Sequence, residues 1–360
     1  MNRSVADVGA RTASIGNPRA PLLRYDIVGC GAVVQAYHVP VVGQFVRRGL
    51  VAIRGCYDTD TRAANLVAST LRAATWGPRP EVDATAPVDA VVIATPPESH
   101  AEIAKAYLTA GKHVFVEKPF TVSGTDARNM AISAKHTRRR LLVGHFRRFY
   151  PSLQSARQFL QVDGLGHVTF IEATEGARWA WPARSSYFVN DPHGGVLWDT
   201  GSHLLDMVLF VLSLDMDDSQ VRLIVRTVEK TPREEPSHDL RASFELSRPG
   251  TPPVEVQLKV SRMEALAGCV KVVGAHGTLV IPTSFAGAPI LYRGGAQFTV
   301  TDGPVDLIAR DSLGCFHLEH QDFLTACSDP TGLSSILEAN RFITLSAILE
   351  QLATFGGNQE

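Results

Sequence analysis

From about residue 22 to 145, short runs rich in β-branched and aromatic residues alternate with longer stretches whose apolar positions recur at helical spacing. The short runs predict strands at Arg24–Val28, Val51–Tyr57, Asp89–Thr95, His113–Val116 and Leu141–Gly144, with helices such as Ala101–Ala110 and Gly124–Ala134 between them. Strand cores like Ala90-Val91-Val92-Ile93-Ala94 are apolar throughout, as a parallel sheet covered on both faces requires. After Pro151 the texture changes. A helix at Ser152–Leu160 and a strand at His167–Ala173 lead into an irregular region rich in tryptophan, glycine and proline, and Gly195–Leu212 reads as one helix. Strand-like segments follow at Val221–Val228, Leu240–Leu246, Val254–Val260, Val270–Val273 and Thr278–Ile281. Several alternate polar and apolar residues, as in an antiparallel sheet with one exposed face. Helices at Phe316–Ala326 and Ser334–Ala353 close the chain. The pattern divides the chain into a disordered leader (1–21), a doubly wound α/β domain (22–145) and an α+β domain (146–360).

Composition narrows the classes. The 360 residues are 45% hydrophobic and 20% charged with a formal net charge of -1, enough chain for two cores and no charge excess that would point to nucleic acid. Arg138-Arg139-Arg140 falls where a helix should end and reads as a solvated helix C-terminus. No apolar stretch approaches the ~18 residues of a membrane span. The first twenty residues hold Arg3, Arg11 and Arg19 without an apolar core, which argues against a secretory signal; an organelle-targeting peptide is the alternative to a disordered leader. Cys30, Cys56, Cys269, Cys315 and Cys327 are odd in number and lack Cys-x-x-Cys spacing, so neither a disulfide framework nor a zinc site is expected, and a reducing, cytoplasmic location fits.

The polar motifs fall at strand exits, where a doubly wound sheet binds its ligands. Tyr25-Asp26-Ile27-Val28 empties into Gly29-Cys30-Gly31. Gly29 permits a tight turn, Gly31 leaves room for a pyrophosphate, and Ala32 and Val33 open a helix whose free N–H groups face the phosphates. Asp58, at the next strand end, is placed for the adenosine ribose hydroxyls, with Arg62 about one turn later. The third small position of this fingerprint is Val34, which implies a wider gap or a rotated helix. Thr95-Pro96-Pro97-Glu98-Ser99-His100 makes a stiff loop suited to holding a nicotinamide ring; His100 suits either a cofactor contact or a structural cap. Glu117 and Lys118 in Glu117-Lys118-Pro119 are expected to contact the cofactor, and Lys118 also places an ammonium at the cleft, able to bind a substrate oxygen on which negative charge develops.

Within Gly194–Asp206, a helix would set Asp199, His203 and Asp206 at i, i+4 and i+7 on one face. An imidazole beside carboxylates becomes more basic, which suits proton exchange with an alcohol. Metal binding by Asp199 and His203 is the rival reading, with no second histidine–acid pair to complete the set; His317 and His320 read as a surface pair. No metal is expected.

Taken in order, the motifs resemble the glucose–fructose oxidoreductase and inositol dehydrogenase family. The resemblance rests on Gly29-Cys30-Gly31-Ala32 with His38-Val39-Pro40, Asp58 with Arg62, Thr95-Pro96-Pro97 with His100, and Glu117-Lys118-Pro119. It continues through Gly144 with Arg147-Arg148-Phe149 and Gly195 to Asp206. It implies a Rossmann domain followed by an α+β domain that binds substrate and whose open, mainly antiparallel sheet often forms a dimer interface, hence a homodimer or homotetramer. It also implies a tightly held nicotinamide, Lys118 on the substrate hydroxyl, Asp199 and His203 on substrate with the histidine exchanging the proton, and Arg148 near the substrate. Substrates of such proteins are mostly sugars, sugar derivatives or cyclic polyols.

Arg178-Trp179-Ala180-Trp181-Pro182-Ala183-Arg184 precedes that helix. If extended, Trp179 and Trp181 point the same way and can stack on a sugar, while Arg178 and Arg184 can hold an anionic group; core packing of one tryptophan is the plainer alternative. The expectation is hydride transfer between nicotinamide and a carbon bearing a hydroxyl or ketone. NAD is favoured because Asp58 repels a 2′-phosphate, and Arg62 leaves NADP open. Two other classes share these motifs: enzymes using bound NAD transiently without net redox, and catalytically inactive nicotinamide-sensing regulators.

Overall fold

A computed structural model describes residues 22–75, 77, 84–181, 187–215, 220–232, 236–301, 309–329 and 335–356. The expected leader, Arg184 and Ser334 lie outside the described residues. Strands β1 (Leu23–Val28), β2 (Val51–Tyr57), β3 (Ala74–Thr75), β4 (Ala90–Ile93), β5 (His113–Glu117) and β6 (Leu141–Gly144) form a parallel sheet in the order β3-β2-β1-β4-β5-β6. Helices α1 (Val39–Arg47), α2 (Thr61–Leu71), α3 (His100–Thr109) and α4 (Gly124–Thr137) run between them. The apolar runs of β4, β5 and β6 are buried, as their composition requires. Asp26 is the exception inside β1; Arg54 and the Tyr107 hydroxyl satisfy it. Strand order reverses between β1 and β4, so the ends of these two strands open the crevice where such sheets take ligands. The pattern missed β3, whose two residues are both exposed.

Val34 is accommodated by the helix itself. Val34–His38 forms a wider π-helical turn before α1, and the valine is fully buried there.

Beyond α5 (Pro151–Gln161), eight strands build the second sheet: β7 (Val168–Gly176), β8 (Arg222–Thr231), β9 (Asp239–Ser247), β10 (Val254–Ser261), β11 (Leu266–Gly274), β12 (Gly277–Pro282), β13 (Ile290–Arg293) and β14 (Ala296–Thr299). Their order is β14-β13-β12-β11-β7-β10-β9-β8, antiparallel except for the parallel pair β7–β10. The sequence pattern missed β13 and β14; β14 is exposed along its length and shows no alternation. Between β7 and β8 lie the short α6 (Tyr187–Asn190) and α7 (Ser202–Val211). The single helix expected over Gly195–Leu212 is interrupted: Leu197–Gly201 is a π-helical turn, and α7 follows with every residue buried. The extra residue in that turn rotates Asp199 out of phase with Asp206.

The chain then returns to the first sheet through α8 (Ser312–Ser328) and α9 (Ile343–Thr354). α8 packs on α1 and α9 on α4. The Gly124 N–H donates to Glu350 Oε2 at 3.0 Å, and a Cβ on Gly124 would come within 2.9 Å of Ala347. The Val143 N–H donates to Leu337 O at 2.9 Å, covering the edge strand β6. This docking overturns the surface-pair expectation for His317 and His320: both are buried because α8 lies under the first domain. Among the described residues no helix is long and apolar enough to cross a membrane, and the five cysteines are free.

Candidate active site

The glycine turn is set by backbone geometry. Gly29 has φ +89°, its N–H donates to Tyr57 O, and a Cβ there would meet Ala94 O at 2.4 Å. Gly31 is exposed, and a Cβ there meets nothing within 4 Å. Ala32 and Val33 follow in helical conformation, so the amides of residues 31–33 stand where no intrahelical acceptor exists. Asp58 reaches back to this turn: Oδ2 accepts the Cys30 N–H at 2.6 Å and Oδ1 the Asp60 N–H at 2.8 Å. Arg62 is exposed at the start of α2. The open space at Gly31, unpaired amides and a carboxylate at the β2 exit fit a dinucleotide. Gly29→Ala should destabilise the fold by about 1–3 kcal/mol from backbone conformation alone. Gly31→Ala should stay within about 0.5 kcal/mol. Urea denaturation of both variants measures the contrast, and equal losses would contradict it.

The two loops beyond β4 and β5 are tied together by His100. Its Nε2 lies 2.8 Å from Thr95 O, and its Nδ1 lies 3.1 and 3.2 Å from the carbonyls of Pro119 and Phe120. The ring is fully buried, so the cofactor contact expected of His100 is corrected: the neutral ring has one N–H to donate to a backbone carbonyl, and it packs between the Thr95 loop and the Lys118 loop. In the Thr95 loop Pro96 is exposed and Pro97 buried, and Ser99 Oγ donates to Thr95 Oγ1 at 2.7 Å. The cofactor-binding role expected of Glu117 also changes. The side chain is buried, with Oε1 2.8 Å from His38 Nε2 and Oε2 accepting the Lys118 N–H at 3.0 Å.

Lys118 crosses to the second domain. Its Nζ donates to Asp199 Oδ1 at 2.7 Å, and Arg262 donates to Asp199 Oδ2 at 3.1 Å. Burial opposes ionisation of Asp199, but the charges of Lys118 and then Arg262, with their hydrogen bonds, hold it down to about 2. Two cations on this carboxylate also oppose the metal reading for Asp199 and His203. Sequence reasoning missed Arg262, which leaves the end of β10. The one available signal was topological: β7 and β10 run in parallel, so the Trp179 segment exits beside Arg262, and the Trp179 N–H donates to Arg262 O at 2.9 Å. Glu98 and His193 form a second bridge between the domains, with Glu98 Oε1 2.5 Å from His193 Nδ1; Asp191 stands beside them, and the three ligand atoms lie within 4.8 Å.

His203 is 7% exposed and packs edge-on against His145 and Phe146. Burial first, then the charges of Arg147 and Lys118, push its pKa well below the ordinary histidine value. The expected rise in basicity from flanking carboxylates is therefore overturned: Asp199 is held by Lys118 and Arg262, and Asp206 points into the core. Nδ1 is enclosed without a partner among the described residues, which leaves Nε2 to reach the cleft.

Arg148 is also corrected. It is fully buried, donates to Asp206 and Asp215 and to Ile336 O, and lies 4.1 Å over the Phe342 ring. It holds α7 to the C-terminal segment rather than facing substrate. The two tryptophans take different neighbours. Trp179, 38% exposed, lies 5.6 Å from Phe188 with Arg262 over its ring. Trp181 stacks on Tyr37 of the first domain at 6.1 Å and 4°. Arg178 is exposed.

Burial lowers the pKa of five histidines, His100, His113, His145, His203 and His320. Each binds its proton less readily folded than unfolded, so acidification below the ordinary histidine pKa of ~6.5 favours unfolding, by up to about 1.4 kcal/mol per pH unit per ring. Glu319, pushed well up by burial and by Glu117, acts in the opposite sense above the ordinary glutamate pKa, as do Glu98, Asp322 and Glu338, which burial also raises, so four carboxyls partly offset the five rings. The melting temperature should fall steadily from pH 7 to pH 5.5; a flat profile would contradict this balance.

The profile of an oxidoreductase family with an NAD-binding Rossmann fold (GFO/IDH/MocA) matches residues 23–145, and the C-terminal domain profile of the same family matches residues 153–280. An uncharacterised oxidoreductase of Escherichia coli, YdgJ, is 29% identical over 212 residues, covering 56% of this chain and 58% of the relative. Inositol 2-dehydrogenase of Rhizobium meliloti is 28% identical over 191 residues, covering 53% of this chain and 55% of the relative. The chain thus matches somewhat over half the length of these two relatives. Among solved structures, a 3-ketoreductase from Actinomadura kijaniata, KijD10, in complex with NADP and TDP-benzene, superposes with a TM-score of 0.71 at 18% identity, covering 92% of this chain and 97% of that one. Two consecutive domain profiles and the sheet topology agree with the motif order, and the chain belongs to the GFO/IDH/MocA oxidoreductase family.

Proposed function

We propose that this protein transfers a hydride between a nicotinamide dinucleotide and a carbon bearing a hydroxyl or ketone on a sugar, sugar derivative or cyclic polyol. The observation that carries the reading is the bond from Lys118 Nζ to Asp199 Oδ1, which brings the ammonium of the first domain against the segment carrying His203. Its charge is also among those acting on His203.

A bound nicotinamide supplies or accepts the hydride. The turn Gly29 to Val33 would hold its pyrophosphate, and the Thr95-Pro96-Pro97 loop lies at the adjoining strand exit. Lys118 donates to the substrate oxygen and stabilises negative charge on it. His203, kept neutral at pH 7, is ready to take the hydroxyl proton at Nε2 and to return it in the reductive direction. Asp199 orients substrate while Lys118 and Arg262 keep it ionised. Trp179 offers a partly exposed aromatic face for a ring. Asp58 at the β2 exit supports NAD over NADP. The relatives named for inositol and for 3-keto chemistry support a polyhydroxylated ring as substrate.

A panel of sugars, inositols and sugar nucleotides, assayed by nicotinamide absorbance with NAD and with NADP, tests this. Turnover should be faster with NAD. Product formation without net absorbance change would replace the reading by transient use of the cofactor, and silence across the panel with dinucleotide still bound would favour a sensing role.

A further inference from the structure

Behind Lys118 lies a buried line of polar groups that the proposed chemistry does not use. Glu117 Oε1 is 2.8 Å from His38 Nε2, and His38 Nδ1 is 2.8 Å from His320 Nε2. His38 and His320 are enclosed by rings: Phe115 and Phe316 lie edge-on to His38, and Phe115 stacks on His320. A polar ring in an apolar cage costs stability unless it is hydrogen-bonded, and here both nitrogens of His38 are. Gly144 makes the room, since a Cβ there would sit 3.1 Å from Glu117 Oε1. Glu117 is therefore aimed from three sides, and its second oxygen accepts the Lys118 N–H.

The proton positions follow. Burial opposes ionisation of Glu117, but the hydrogen bond and charge of His38, then the charge and N–H of Lys118, hold its pKa below the ordinary glutamate value. A carboxylate accepts, so His38 Nε2–H donates to it. His38 Nδ1 and His320 Nε2 share one proton between them, and His320 Nδ1 has no partner among the described residues. The other titratable groups facing this line are Glu319, Asp322 and His317 on α8, and His100 and His145, which face Glu117 from the first domain and from the exit of β6.

We propose that His38 is a positioning residue: its Nε2–H fixes the Glu117 carboxylate, which fixes the Lys118 backbone from which the ammonium reaches Asp199. The role rests on the oxidoreductase reading above. His38→Phe keeps the packing and removes the donor; His38→Gln keeps a donor near Nε2. With a substrate identified from the panel, His38→Phe should lower kcat on the order of 100-fold, because small displacements of a catalytic group carry losses of that size, with dinucleotide affinity within about threefold of wild type. His38→Gln should recover most of that loss. Unchanged kcat in His38→Phe, or equal losses in both variants, would overturn the proposal.

Infrared spectroscopy gives an arm independent of substrate. A protonated-carboxyl band that disappears with Glu117→Gln should be absent in wild type and in His38→Gln and appear in His38→Phe. Its presence in wild type would overturn the proposal even if His38→Phe fails to fold. An inactive wild type would remove the oxidoreductase reading, while the infrared arm would still decide whether His38 governs Glu117.

Discussion

Lys118→Ala is expected to lower turnover by about 100-fold or more, the scale seen when a group stabilising charge at the reacting oxygen is removed. Dinucleotide affinity should change little. The lysine follows β5, its backbone is held by Glu117, and its ammonium points across the crevice to Asp199 rather than toward the Gly29 turn. Steady-state kinetics and dinucleotide titration by fluorescence separate the two quantities. A parallel loss of affinity and turnover would place the lysine in the nucleotide site and remove it from the chemistry. His203→Ala should give the same split, and unchanged turnover would end its role as proton carrier.

The second large effect is on folding. Arg148→Met should destabilise the protein by about 3–5 kcal/mol, because it leaves buried carboxylates without their counter-charge. Among the described residues Asp206 then keeps His145 alone, whose Nδ1 is 3.4 Å away, while Asp215 retains Arg157 and Arg341. The loss should therefore fall mainly on Asp206, and adding Asp206→Asn should recover part of it. Urea denaturation of the single and double variants measures this. A loss below about 1 kcal/mol for Arg148→Met would mean that α7 is held by its apolar contacts alone.

How much was legible in the sequence depended on whether a feature was local. The apolar runs of β1, β2, β4, β5 and β6 announced a parallel sheet because burial on both faces leaves one composition open to them. The Gly29 turn and Lys118 were found because strand exits carry ligands in such sheets. Arg148 was misplaced because its neighbours in the chain resemble cleft residues, while its partners Asp206 and Asp215 are about 60 residues away. His320 looked exposed on its own helix and is enclosed only because α8 returns to the first domain. The two π-helical turns escaped notice because a periodicity argument assumes 3.6 residues per turn, and that assumption wrongly put Asp206 beside Asp199.

The return of α8 and α9 to the first sheet has a mechanical consequence. The polypeptide passes between the two domains once after β6 and again before α8, so they are doubly tethered. The bonds of Glu350 to Gly124 and of Leu337 to Val143 hold the returning segment to the first domain, so any motion of one domain against the other is limited by two covalent crossings instead of one.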